Sequence, residues 1–144
     1  MLCSLTSAGA AQVPDLYSPA VKVSLARPRP GVEVALCTDT HLVEIFQGLV
    51  VRSLPLINTK KVLDLKLVQG SQRDWRYLLV RENSVEFRQV SSLSLVSQYQ
   101  GVDRVQVGDF HNNGRRLVRI SQTNGEAGLK YYQVCSEIKI NFLK

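Results

Sequence analysis

From Ala20 onward, apolar and polar residues alternate in short runs of about five to seven positions. Such a period puts every second side chain on one face of an extended chain, so each run predicts a half-buried β-strand. The clearest instance is Val107-Gly-Asp-Phe-His-Asn-Asn-Gly-Arg-Arg-Leu-Val-Arg-Ile120. An alternating run from Val102 to Val107 leads in, and a second, Leu117 to Ile120, leads out. Between them Asn112-Asn113-Gly114 supplies residues that tolerate positive φ, so the stretch predicts strand, polar turn, strand.

The same layout fills the chain. A first unit holds the runs Val21–Leu25, Val32–Leu36, Leu42–Phe46 and Leu49–Leu54. A second holds Val62–Val68, Trp75–Val80, Val85–Val90 and Leu93–Ser97. A third holds Val102–Val107, Leu117–Ser121, Leu129–Val134 and Ile138–Leu143. Breaks fall at turn-forming clusters, and Pro28 and Pro30 are expected in a turn because proline donates nothing to a ladder. The units start at Ala20, Lys61 and Val102, 41 residues apart. A corner recurs inside them: Leu36-Cys-Thr-Asp-Thr-His-Leu-Val-Glu-Ile-Phe46 aligns with Val80-Arg-Glu-Asn-Ser-Val-Glu-Phe87. In both, an apolar strand end and a polar turn precede Val-Glu and an aromatic.

Four strands per unit at that period predict an all-β fold, a partial β-propeller of about three four-stranded antiparallel blades. The expected organisation is a weakly ordered leader over 1–19, then blades over 20–60, 61–101 and 102–144. Three blades leave open edges, so the expectation is part of a longer propeller.

Composition adjusts this picture little. The net charge of +6, from 18 basic and 12 acidic residues, is scattered and contains no polybasic run. Solvated strand faces account for it, and any DNA contact is expected to be indirect. Cys3, Cys37 and Cys135 are too far apart for a zinc knuckle and too few for a disulfide framework, which favours reduced thiols. No signal peptide or membrane-spanning stretch is expected.

Candidate chemistry is sparse. There is no GxSxG elbow, phosphate-cradling glycine loop or paired acid–base arrangement. His41 and His111 are expected as solvated turn residues, and Trp75, between Arg73 and Arg76, as a packing residue between blades. Tyr131 and Tyr132 should point to opposite faces. The 109–114 stretch resembles the calcium loop of integrin-type propeller blades, with Asp109, Asn113 and Gly114 in place. However, His111 stands for an oxygen ligand and Leu117 for the last acid. Calcium takes about 6–8 oxygens, so no metal is expected there. No catalytic residue, cofactor site or metal site is predicted.

One broader resemblance covers roughly 90 residues. Ala35-Leu36 with Leu42-Val-Glu-Ile-Phe-Gln47, Leu54-Pro55-Leu56, Leu65-Lys-Leu67, Tyr77-Leu-Leu-Val80, Val85-Glu-Phe87 and Val107-Gly-Asp-Phe-His-Asn-Asn-Gly114 before Leu117–Ile120 occur in order. In this order and spacing the chain resembles the propeller region of the Fanconi anaemia group B family. The resemblance implies a nuclear scaffold, not an enzyme, in the core complex that monoubiquitinates its substrate at DNA interstrand cross-links. It implies the group L RING ligase subunit, a hundred-kilodalton propeller protein and other core-complex subunits as partners. The alternative expectation is an integrin-like or generic propeller module that binds proteins without a role in repair.

Overall fold

The computed structural model describes residues 21–57, 60–70, 73–123 and 129–134. The expected leader, the run Ile138–Leu143, Cys3 and Cys135 lie outside these. Among the described residues the chain is all-β, with antiparallel strands and no helix. It divides into two compact units, with the boundary between Val62 and Leu63.

The first unit is a four-stranded meander: β1 (Val23–Arg29), β2 (Val32–Cys37), β3 (His41–Phe46) and β4 (Leu49–Pro55), paired in chain order. Its turns follow from the residues that break the alternation. Gln47 and Gly48 both take positive φ, 53° and 77°, between the paired Phe46 and Leu49, the geometry of a tight two-residue hairpin. Leu36, Val43 and Ile45 are buried on one face, against Val21, Val34 and Val50. On the other face Ala35, Cys37, Leu42 and Glu44 are also buried. Central strands are thus covered on both sides, while β1 and β4 keep exposed alternate positions.

Pro28 departs from expectation. It lies within β1 and not in a turn, at a bulge between Ala26 and Arg29. The strand is an edge, so a missing N–H there need not interrupt a ladder.

The second unit contains β5 (Val62–Gln69, starting at the boundary), β6 (Trp75–Arg81), β7 (Ser84–Gln89), β8 (Leu95–Gln100), β9 (Val102–Gly108), β10 (Leu117–Gln122) and β11 (Lys130–Val134). All seven belong to one sheet, in the order β8-β7-β6-β5-β11-β10-β9. The expected fourth strand at Leu93–Ser97 begins later, because Leu93 is buried in the preceding turn with φ 65°.

The two edge strands of this sheet, β8 and β9, are consecutive in sequence and meet at Gly101, whose φ is 66°. Before the bend, Gln100 pairs with Ser84 of β7. After it, Val102 pairs with Gln122 of β10. The sheet therefore folds back on itself, with β5–β8 as one wall and β9–β11 as the other. Val68, Leu78, Val80, Val85, Phe87, Val102, Val118 and Ile120 fill the interior, with Tyr99, Val105, Val107 and Tyr132 packed against them. Full burial of each such aliphatic or phenyl side chain contributes about 1.5–3 kcal/mol. Pairing of β5 with β11, through Val68–Val134 and Gln69–Gln133, joins the runs from 62–100 and 102–134 in one sheet. Separate four-stranded blades do not require that join.

Candidate functional site

Four places in the described residues concentrate polar chemistry. The first is the 109–114 turn. Asp109 follows the last residue of β9, and its two carboxylate oxygens accept the backbone N–H groups of Asn113 (3.0 Å) and Gly114 (2.8 Å). These hydrogen bonds, that to Gly114 foremost, hold its carboxyl below the usual aspartate range. Asn113 in turn accepts the N–H of Arg115 at 3.0 Å. The carboxylate serves the loop's own backbone, which explains an Asp-x-x-x-Asn-Gly pattern without any ion. Among the described residues no cluster of three or more His, Cys, Asp or Glu side chains is placed to hold a metal.

The second place is a pair of buried carboxylates. Glu44 on β3 is fully buried, and Arg29 of β1 and Arg52 of β4 each hold it with two N–H groups. Arg29 reaches it across β2, where the small Ala35 pairs with Glu44. Glu86 on β7 is buried likewise, with Arg88 at 2.7 Å and Arg81 at 3.6 Å. These are the two Val-Glu positions of the recurring sequence corner. The corner thus carries a carboxylate held by guanidinium groups in each unit. Each Glu44 oxygen accepts from both arginines, and acceptors so occupied are poor proton shuttles and serve the fold.

The third place is a cavity of about 530 Å³ in the second unit, between the start of β5, the β6–β7 turn and the start of β9. Asp64, Lys66, Glu82, Asp103 and Arg104 are among its lining residues. Asp64 and Lys66 pair with each other at 2.8 Å, and charges of both signs leave it without a single electrostatic preference.

The fourth place is the outer face of β9–β11. Alternation turns Val105, Val107, Val118, Ile120 and Tyr132 inward and their neighbours outward. Gln106, Arg119 and Tyr131 therefore form one row across the three strands, with Arg104–Ser121 on one side and Leu117–Gln133 on the other. Gly108 has no side chain, and the ring of Phe110 lies over it. The Arg119 guanidinium sits 4.1 Å from the centre of that ring and donates to Gln106 at 2.6 Å. Tyr131 flanks Phe110 at 6.1 Å and His111 at 4.9 Å. The two tyrosines part as period-two alternation requires: Tyr132 packs on Phe87 at 4.5 Å, and Tyr131 is 37% exposed.

The remaining sequence candidates do not converge. His41 is exposed and shares a hydrogen bond with its neighbour Thr40. Trp75 is half-buried at the start of β6, and Arg76 next to it binds Asp74 at 2.7 Å. This contact, more than the accompanying hydrogen bond from Gln89, holds Asp74 below the usual aspartate range. Phe110 and Arg119 share the strand–turn–strand stretch Val107–Ile120, whereas Tyr131 belongs to a separate run. The β9–β10 hairpin follows from the local turn, but only the register of β11 on β10 brings Tyr131 beside Arg119, and no sequence signal reports that register. No protein-family model and no curated protein matches the chain.

Proposed function

We propose that this protein is a non-catalytic scaffold module with a propeller-type organisation, of the kind found in the Fanconi anaemia group B family. In that role it supports a RING ubiquitin ligase during interstrand cross-link repair in the nucleus. The supporting observation is the repeated corner, in which the first two of the 41-residue units each bury a glutamate held by two arginines. A repeat that preserves an internal ionic clamp, with polar groups otherwise serving turns and ladders, suits a rigid platform for partners better than a reaction centre. The ordered pattern from Val32 to Ile120 supplies the family, and with it the group L ligase subunit and the hundred-kilodalton propeller protein as partners.

The test is co-purification of the full-length chain with those two proteins expressed together. Stable association with either is expected. Failure to associate with both removes the repair role.

A further inference from the structure

We propose that the outer face of β9–β11 binds single-stranded nucleic acid, a property independent of the scaffold role. Binding an unpaired strand takes two things: aromatic rings on which bases stack, and cations that follow the phosphates. Both occur here on one rigid face. Tyr131, Phe110 and His111 make the aromatic part, with Tyr131 and His111 exposed. Arg119 is held over Phe110, its guanidinium carbon 4.1 Å from the ring centre, and adds a cation beside the rings. Arg104 lies on the same face, in the row of Ser121, and Arg115 reaches it at Gln133, 3.4 Å away.

Charge favours an anionic partner. Lys130 pairs with the inward Ile120 and lies over Tyr99, but among the other described residues from 102 to 134 the cations Arg104, Arg115, Arg116 and Arg119 still outnumber the acids Asp103 and Asp109. Asp109 is occupied by the backbone of its own turn, and no described carboxylate lies in ion-pair contact with the four arginines. Arg104, Arg115 and Arg116 are exposed, and their guanidinium groups remain available to phosphate.

The composition of the face also argues against an apolar occupant. Its rows carry Arg104, Ser121, Gln106, Arg119, Tyr131 and Gln133, with Leu117 as the aliphatic member. A packed protein layer would leave several of these polar groups buried without partners. A duplex is disfavoured too, because its stacked bases leave the exposed rings without a surface to stack on.

The test is fluorescence anisotropy of the full chain with a labelled 15-mer of deoxythymidine, at several salt concentrations. Binding is expected to weaken as salt rises. Arg104→Ala/Arg115→Ala should lose about tenfold at low salt and flatten the salt slope by roughly one to two. Tyr131→Ala should lose about fivefold or more while keeping the slope, and Tyr131→Phe, which retains the ring, should bind like the parent. Lys60→Ala/Lys61→Ala, in the first unit, should change little. Equal losses in both paired basic variants would reduce the effect to bulk charge and overturn the proposal. So would Tyr131→Ala binding as tightly as the parent, or a phosphoserine peptide or a duplex of the same length binding more tightly than the single strand.

Discussion

Glu44 shows at the scale of one residue how the fold tolerates a charge in its interior. A carboxylate removed from water costs several kcal/mol, and here two guanidinium groups, one from the adjacent β4 and one reaching across β2 from β1, offset that cost. Their own side chains remain 28% and 23% exposed, so each arginine joins the buried acceptor to solvent. Glu44→Ala would leave both cations facing an emptied site. Removing one member of a buried ion pair generally costs about 3–5 kcal/mol, and partial exposure of the arginines puts this case near 3. Urea unfolding should show the lowered midpoint with an unchanged slope. A change below about 1 kcal/mol would mean that the clamp contributes little. The sequence marked this position as Val-Glu followed by an aromatic, but gave no sign that the glutamate was buried. Alternation puts Leu42, Glu44 and Phe46 on one face, and that face is covered at Leu42 and Glu44 although its polar member suggests water.

At the scale of strands and turns, period-two alternation was a sufficient guide wherever one face meets the core. Ten of the runs overlap strands β2–β11, and a further one overlaps β1. Departures arose where a special backbone replaced the simple rule. Pro28 continues an edge strand through a bulge, and Leu93 turns inward with positive φ before β8 begins. Pairing between distant strands was not legible, since β5 and β11 join over positions about 65 residues apart and neither strand names its partner. Gly101 is where local and distant geometry meet. Its carbonyl accepts the N–H of Thr123, and the next N–H, of Val102, bonds to Asn83. A Cβ at this position would lie 3.1 Å from the Thr123 hydroxyl, on a backbone already at φ 66°. Gly101→Val should therefore destabilise the second unit by about 2 kcal/mol or more, from left-handed backbone strain and the close contact together. Hydrogen exchange at the Val102 and Thr123 amides would report the change directly. Unaltered protection in the variant would show that the bend does not depend on glycine.

At the scale of the whole molecule, exposed sheet edges govern whether copies of the chain stay apart. The first sheet has two edges, β1 and β4, and each contains a bulge and a proline. Both features interrupt the row of backbone groups on which a foreign strand could add. Pro55 is the cleaner case. The N–H of Leu56 bonds inward to Thr40, so alternation turns the nitrogen of Pro55 toward the open side of β4. Leu49 and Val51 on the same strand are 68% and 39% exposed, which gives an added strand apolar surface to cover. Pro55→Val would restore an outward donor beside that surface while leaving the pairing with His41 intact. Pro28→Val is less informative, because Pro28 is buried and its replacement also changes packing. Light scattering across a concentration series should show more self-association for Pro55→Val than for the parent chain, with the unfolding free energy in urea altered by less than about 0.5 kcal/mol. Adding Val51→Lys to the same variant should reverse the association, since a lysine on the edge opposes strand addition by charge and by hydration. If Pro55→Val associates no more than the parent, the bulge at Val50–Arg52 is enough to close the edge, and the proline is dispensable there.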